Sequence, residues 1–113
     1  MIIEYNEEMN IQDIISDENV VLDFWAPWCG PCKQLAPVLK KLSEENSSLK
    51  ICKINTDEFS DVSSEFSIRA LPTLMFYKNG ECVDTKVGFV NGQVLEEKVK
   101  GIYGWISKNL KKI

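Results

Sequence analysis

Cys29 and Cys32 are the residues of this chain best suited to chemistry. Two thiols with two residues between them close to an intramolecular disulfide or open to a dithiol, so the pair can carry two electrons. It lies in Trp28-Cys29-Gly30-Pro31-Cys32, after an apolar run and before residues with helical spacing. A strand delivering the pair to the first turn of a helix would set Cys29 among unsatisfied N–H groups, where the helix dipole favours an anion. That field is worth roughly 0.3–1 kcal/mol at an exposed site and ~2 kcal/mol when partly buried. At about 1.4 kcal/mol per pH unit, it lowers a thiol pKa by about one unit from ~8.5. We therefore expect Cys29 to be the attacking nucleophile and Cys32, one turn deeper and more buried, the resolving thiol. Pro31 suits a first turn, which needs no N–H there. Gly30 adds no side chain and lets a protein substrate approach closely.

Other uses of the pair fit less well. Zinc wants four ligands, and Cys52 and Cys82 do not form a second Cys-x-x-Cys knuckle. A permanent staple across so short a loop stabilises little. The chain contains no histidine, which excludes imidazole as acid, base or ligand. Its chemistry must run on cysteine, carboxylates, lysine and backbone.

The 113 residues are 44% hydrophobic and 27% charged, ordinary values for one globular domain, and we read 1–113 as a single domain. A net charge of −4 argues against nucleic acid as a partner, since phosphate binding needs clustered Lys and Arg. No apolar stretch approaches the ~20 residues that span a bilayer, so no membrane association is expected. The N-terminal residues show no basic segment followed by an apolar one, which leads us to expect a cytoplasmic protein.

The elements that must position the pair are legible from periodicity. Residues 2–5 read as a short strand and 10–16 as a brief helix. Residues 20–26 are almost unbroken apolar, as in a strand covered on both faces. Leu35, Val38, Leu39 and Leu42 share a helical face, and Asn46-Ser47-Ser48 ends that helix. Pro37 lacks an N–H and crowds the carbonyl of Lys33, so a kink is expected there. Residues 49–55 form a second central strand and 60–66 a short helix. Two strands, 73–78 and 81–87, flank Asn79-Gly80, a hairpin signal suited to positive φ. From Gly92 the chain reads as helix, with 104–113 extending it. Early strands joined by helices should be parallel, and the hairpin should add antiparallel strands at one edge. The expectation is an α/β, three-layer α/β/α sandwich with a five-stranded mixed sheet and four helices.

The segment Val21-Leu22-Asp23-Phe24-Trp25-Ala26-Pro27-Trp28-Cys29-Gly30-Pro31-Cys32-Lys33 resembles the active-site segment of the thioredoxin family. Ile68-Arg69-Ala70-Leu71-Pro72-Thr73 and Lys78-Asn79-Gly80-Glu81 resemble two further signatures of that family, in the right order and spacing. The resemblance covers roughly residues 2 to 103 and implies the thioredoxin fold. It also implies a protein-disulfide reductase that needs no bound cofactor and is recycled by a thioredoxin reductase. The implied clients are peroxiredoxins, methionine sulfoxide reductases and ribonucleotide reductase, met as a monomer. The Gly30-Pro31 dipeptide is similar to that of the reducing members. A disulfide oxidase or isomerase would want a different dipeptide and an export signal. A scaffold that binds without turnover would not need the intact cysteine pair.

Asp23 interrupts a strand expected to be central, so its carboxylate should be buried and its proton affinity raised. It could then exchange a proton with Cys32 through a water, and the family carries an Asp here with that role. Lys53 alternates with Ile51 and Asn55; it either snorkels to solvent or, as the resemblance implies, sits near Asp23 as its charge partner. Pro72 heads a strand and could be an ordinary trans edge proline. The resemblance instead implies a cis bond facing the cysteines, with the Leu71 backbone open to a substrate strand. Trp25 should pack at the base of the site. Trp28 should be partly exposed and, with Leu71, Pro72, Val87, Gly88 and Phe89, form a shallow apolar patch for partners. Phe89 departs from the family, which usually has a small residue there, and should make the groove narrower or stickier. Ser67 stands where the family often has glycine or asparagine. Cys52 should be a small buried apolar residue, and Cys82, near the hairpin turn, more exposed. Leu95, Val99, Ile102, Ile106, Leu110 and Ile113 fall on one face of the last helix, which either continues over the sheet or docks a partner through the extension. Trp105 lies off that stripe.

Overall fold

Apolar residues at nearly every position from 20 to 26 commit that segment to the inside of a sheet, because it has no polar side to present to water. The computed structural model describes residues 1–104 and holds this segment in the middle strand. In chain order the elements are β1 (Ile2–Glu4), α1 (Ile11–Ile15), β2 (Asn19–Trp25), α2 (Gly30–Glu45), β3 (Lys50–Asn55), α3 (Ser60–Glu65), β4 (Thr73–Lys78), β5 (Glu81–Val87) and α4 (Gly92–Tyr103). The strands lie side by side as β1-β3-β2-β4-β5. The first three are parallel, and β4 runs antiparallel to both β2 and β5, so the hairpin occupies one edge as expected. Its turn residues, Asn79 and Gly80, both take positive φ, at 51° and 85°. Expected strand ends were off by about one residue: Ala26 and Leu49 lie just outside β2 and β3, both buried.

The period-2 alternation of β2 splits its side chains between two cores. Val21 joins Ile51, Leu74 and Phe76 under Leu35, Leu39 and Leu42 of α2 and Leu95 and Val99 of α4. Val20, Leu22 and Phe24 join Cys52, Ile54 and Tyr77 under α1 and the residues flanking α3. These are the three layers. The helix α2 runs through Pro37, with Asn46 as its C-terminal cap. Cys52 is fully buried and Cys82 exposed, as expected. Ser67 takes φ 56°, a conformation that glycine or asparagine adopts more easily.

The last residue of α4 ties the layers together. The Tyr103 hydroxyl lies 2.9 Å from Val20 O of β2 and 3.0 Å from Tyr77 O of β4, so its one proton is shared between the two carbonyls. Gly104 then takes φ 71°, and its N–H donates to Lys100 O. The expected helical continuation through Trp105, Ile106, Leu110 and Ile113 lies outside the described residues. Among the described residues, no helix is long and apolar enough to cross a membrane.

Candidate active site

Cys29 is the N-cap residue of α2, where β2 hands the chain to the helix. Its N–H donates to Ala26 O at 3.1 Å, and its carbonyl accepts from Lys33 N at 3.2 Å. Its Sγ accepts from the Cys32 N–H at 3.2 Å, so one of the orphan donors of the first turn already points at this sulfur. Cys29 and Cys32 are joined as a disulfide, with Cα atoms 5.3 Å apart. The expectation that Cys32 lies deeper does not hold in this oxidised state: Cys29 is 5% exposed and Cys32 6%. Bonded to each other, the two sulfurs share one cluster with Ala26, Trp25 and Leu71. Gly30 and Pro31, by contrast, are exposed, and a Cβ placed on Gly30 would meet no atom within 4 Å. The approach to the pair is open on that side.

Asp23 sits on the face of β2 between Val21 and Trp25, 3% exposed, and its Oδ1 has no hydrogen-bond partner. Burial pushes its carboxyl up from 3.8 to about 7, Lys53 pulls it down, and Glu4 raises it. Lys53 is directly opposite Asp23 in the β2–β3 register. Its ammonium lies over the Trp25 ring, 5.1 Å from the centroid, and among the described residues no contact ion pair joins it to Asp23. The attraction therefore acts through space. Trp25 is half-buried against the cysteines, and its Nε1 is buried without a partner.

The apolar rim is built by several loops. Trp28 is 69% exposed beside Cys29, and Leu71 packs on the sulfur cluster. The Leu71–Pro72 peptide is cis, and Pro72 is buried, so it underlies the rim and does not line it. The Gly88 N–H donates to Pro72 O at 2.8 Å, which brings residues 87–89 beside that segment. Gly88 has φ 90°, which a residue with a side chain rarely adopts. Val87 and Phe89 are both exposed. A groove of about 250 Å³ runs along Trp28, Thr56, Ile68, Arg69 and Leu71. A larger concavity, about 400 Å³, lies between α2 and α4 along Pro37, Val38, Leu42 and Gly92, and no cysteine lines it.

Two residues of this neighbourhood were missed from sequence. Asp57 holds Trp28 by its indole N–H, and Glu4 acts on Asp23. The only sequence signal for Asp57 was Asn55-x-Asp57 after a strand, a turn in which Asn55 Oδ1 accepts from the Asp57 N–H at 2.9 Å. Among the described residues no acidic, cysteine or histidine cluster could hold a metal ion.

The thioredoxin family model matches residues 2–101. The chain is 49% identical over 86 residues to the thioredoxin of Bacillus subtilis, an alignment covering 74% of this chain and 83% of that one. It is 48% identical over 87 residues to the thioredoxin of Porphyra purpurea, covering 75% and 81%. Among solved structures it superposes on a mutant thioredoxin from Halobacterium salinarum with a TM-score of 0.83 at 30% identity, over 93% of each chain. With this fold, and with a disulfide-forming pair at the head of its second helix, the chain belongs to the thioredoxin family and is a protein-disulfide oxidoreductase.

Proposed function

We propose that the protein is a general reductant of protein disulfides in the cytoplasm, recycled by a thioredoxin reductase and acting as a monomer. The observation that supports this most directly is Cys29 Sγ at the cap of α2, accepting the Cys32 N–H. In the dithiol state that donor and the helix dipole favour a thiolate at Cys29. The Cys29 thiolate attacks one sulfur of the substrate disulfide, forms a mixed disulfide and expels the other substrate sulfur as a thiolate. Cys32 passes its proton toward the Asp23 carboxylate through a water, and the Cys32 thiolate then attacks Cys29 Sγ. The second substrate thiolate leaves, and two electrons have moved from the protein to the substrate. Lys53 favours the charged form of Asp23, so it tunes the acceptor.

Substrates dock on Trp28, Gly30, Pro31, Leu71, Val87, Gly88 and Phe89, with Pro72 shaping the floor. An extended substrate segment pairs with the Leu71 backbone. Peroxiredoxins, methionine sulfoxide reductases and ribonucleotide reductases are the client classes we propose. A Cys32→Ser variant tests the order of attack. It should accumulate mixed disulfides through Cys29 that release their partners on thiol treatment, whereas Cys29→Ser should capture none. Capture through Cys32 in the Cys29→Ser variant, at a yield equal to that of Cys32→Ser, would reverse the assigned roles.

A further inference from the structure

Three side chains stand in one row across the parallel half of the sheet. Glu4 of β1 is paired in register with Lys53 of β3, and Lys53 with Asp23 of β2. Residues in register across parallel strands project to the same face. The Tyr5 N–H donates to Lys53 O at 2.8 Å and fixes that register at its end. The lysine position is therefore flanked in register by two carboxylate positions, a buried one and an exposed one, and its ammonium rests over the neighbouring Trp25 ring, in contact with neither. With strands about 4.8 Å apart, the two carboxylate-bearing positions are about 10 Å from each other.

We propose that Glu4 is a positioning residue of the site: by competing for the Lys53 ammonium it keeps Asp23 from being locked as a carboxylate, so that Asp23 exchanges protons near neutral pH. The inference rests on Asp23 being the proton acceptor proposed above. Other groups on this face do not compete for the role. β4 opposes Asp23 with Leu74, and α2 brings the Cys29–Cys32 pair. From α4, the Tyr103 hydroxyl is committed to two carbonyls, and Lys98, which lies over Phe76, is paired with Asp84. Cys52, next to Lys53 on β3, belongs to the core on the opposite face. The direction of the electrostatics agrees with the geometry, since Glu4 raises the proton affinity of Asp23 and Lys53 lowers it.

Carboxyl-carbon NMR of Asp23 in the reduced protein, titrated across neutral pH, reads the coupling directly. The pH profile of mixed-disulfide resolution with a disulfide-linked peptide reads its use. Glu4→Gln should lower the Asp23 midpoint by about half a pH unit, chiefly because the Lys53 ammonium is then left to Asp23 alone, with a smaller part from lost direct repulsion at this separation. The resolution profile should move with it, while Glu4→Asp should stay near the parent. In a Lys53→Met background the effect of Glu4→Gln should shrink. An unmoved midpoint in Glu4→Gln, or an equal shift with and without Lys53, overturns the role of Glu4. A midpoint that moves while the resolution profile stays fixed overturns Asp23 as proton acceptor, and the role of Glu4 with it.

Discussion

The Trp28 indole N–H donates to both carboxylate oxygens of Asp57, at 3.2 and 3.1 Å. Trp28 is 69% exposed, and without this tie its ring would be free to leave its place beside Cys29. The tie spans two loops, one after β2 and one after β3, and it holds an exposed apolar ring in place beside Cys29.

Replacing Asp57 by Ala should therefore weaken docking and leave the thiols intact. An exposed hydrogen bond of this kind is worth about 0.7 kcal/mol, or roughly threefold in kcat/KM toward a protein disulfide. Steady-state turnover, with tryptophan emission as the report on the released indole, checks this. Unchanged kcat/KM together with a shifted emission would show that the Trp28 orientation does not matter for docking.

Asp23 predicts an unusual stability profile. Its carboxyl has been pushed by burial to about 7 from 3.8, so between these values the folded protein holds a proton that the unfolded chain has lost. The stabilising contribution is therefore complete below about pH 4 and is lost as pH rises through 7. Asp23→Asn should be the more stable protein at alkaline pH, with a ceiling of about 4 kcal/mol, and the difference should fade toward acid. Urea midpoints of both proteins at pH 5 and pH 8.5 measure it. A difference that is constant with pH would mean that Asp23 titrates normally.

Tyr103 closes the α4 layer onto the sheet through one hydroxyl facing two carbonyls. Tyr103→Phe keeps the ring and removes the buried hydroxyl's hydrogen bonding to the sheet, so it should destabilise by about 1 kcal/mol. Urea unfolding should show this loss with redox activity near that of the parent. A loss below a few tenths of a kcal/mol would show that the carbonyls find other donors.

Much of this architecture could be read from residue patterns because burial imposes them. The almost unbroken apolar run of β2 marked a central strand, and the one carboxylate within it marked Asp23 as a buried titratable group. Asn79-Gly80 announced the hairpin because both positions need positive φ. What was not legible depends on side chains meeting across distant segments. Asp57 and Glu4 look like ordinary surface acids until strand order brings them to Trp28 and Lys53. The equal burial of Cys29 and Cys32 depends on packing by Leu71, a residue far along the chain. Pro72 is buried and its carbonyl is met by the Gly88 N–H, a meeting of distant segments that no local pattern records.

The most direct measurement is the alkylation rate of Cys29 in the reduced protein against pH, read by site-resolved mass spectrometry beside the same chain in denaturant. The cap position on α2 should give a midpoint about one unit below ~8.5, and unfolding should abolish the shift. A Cys29 that resists the reagent when folded, or that titrates identically folded and unfolded, would contradict a thiolate stabilised by the helix.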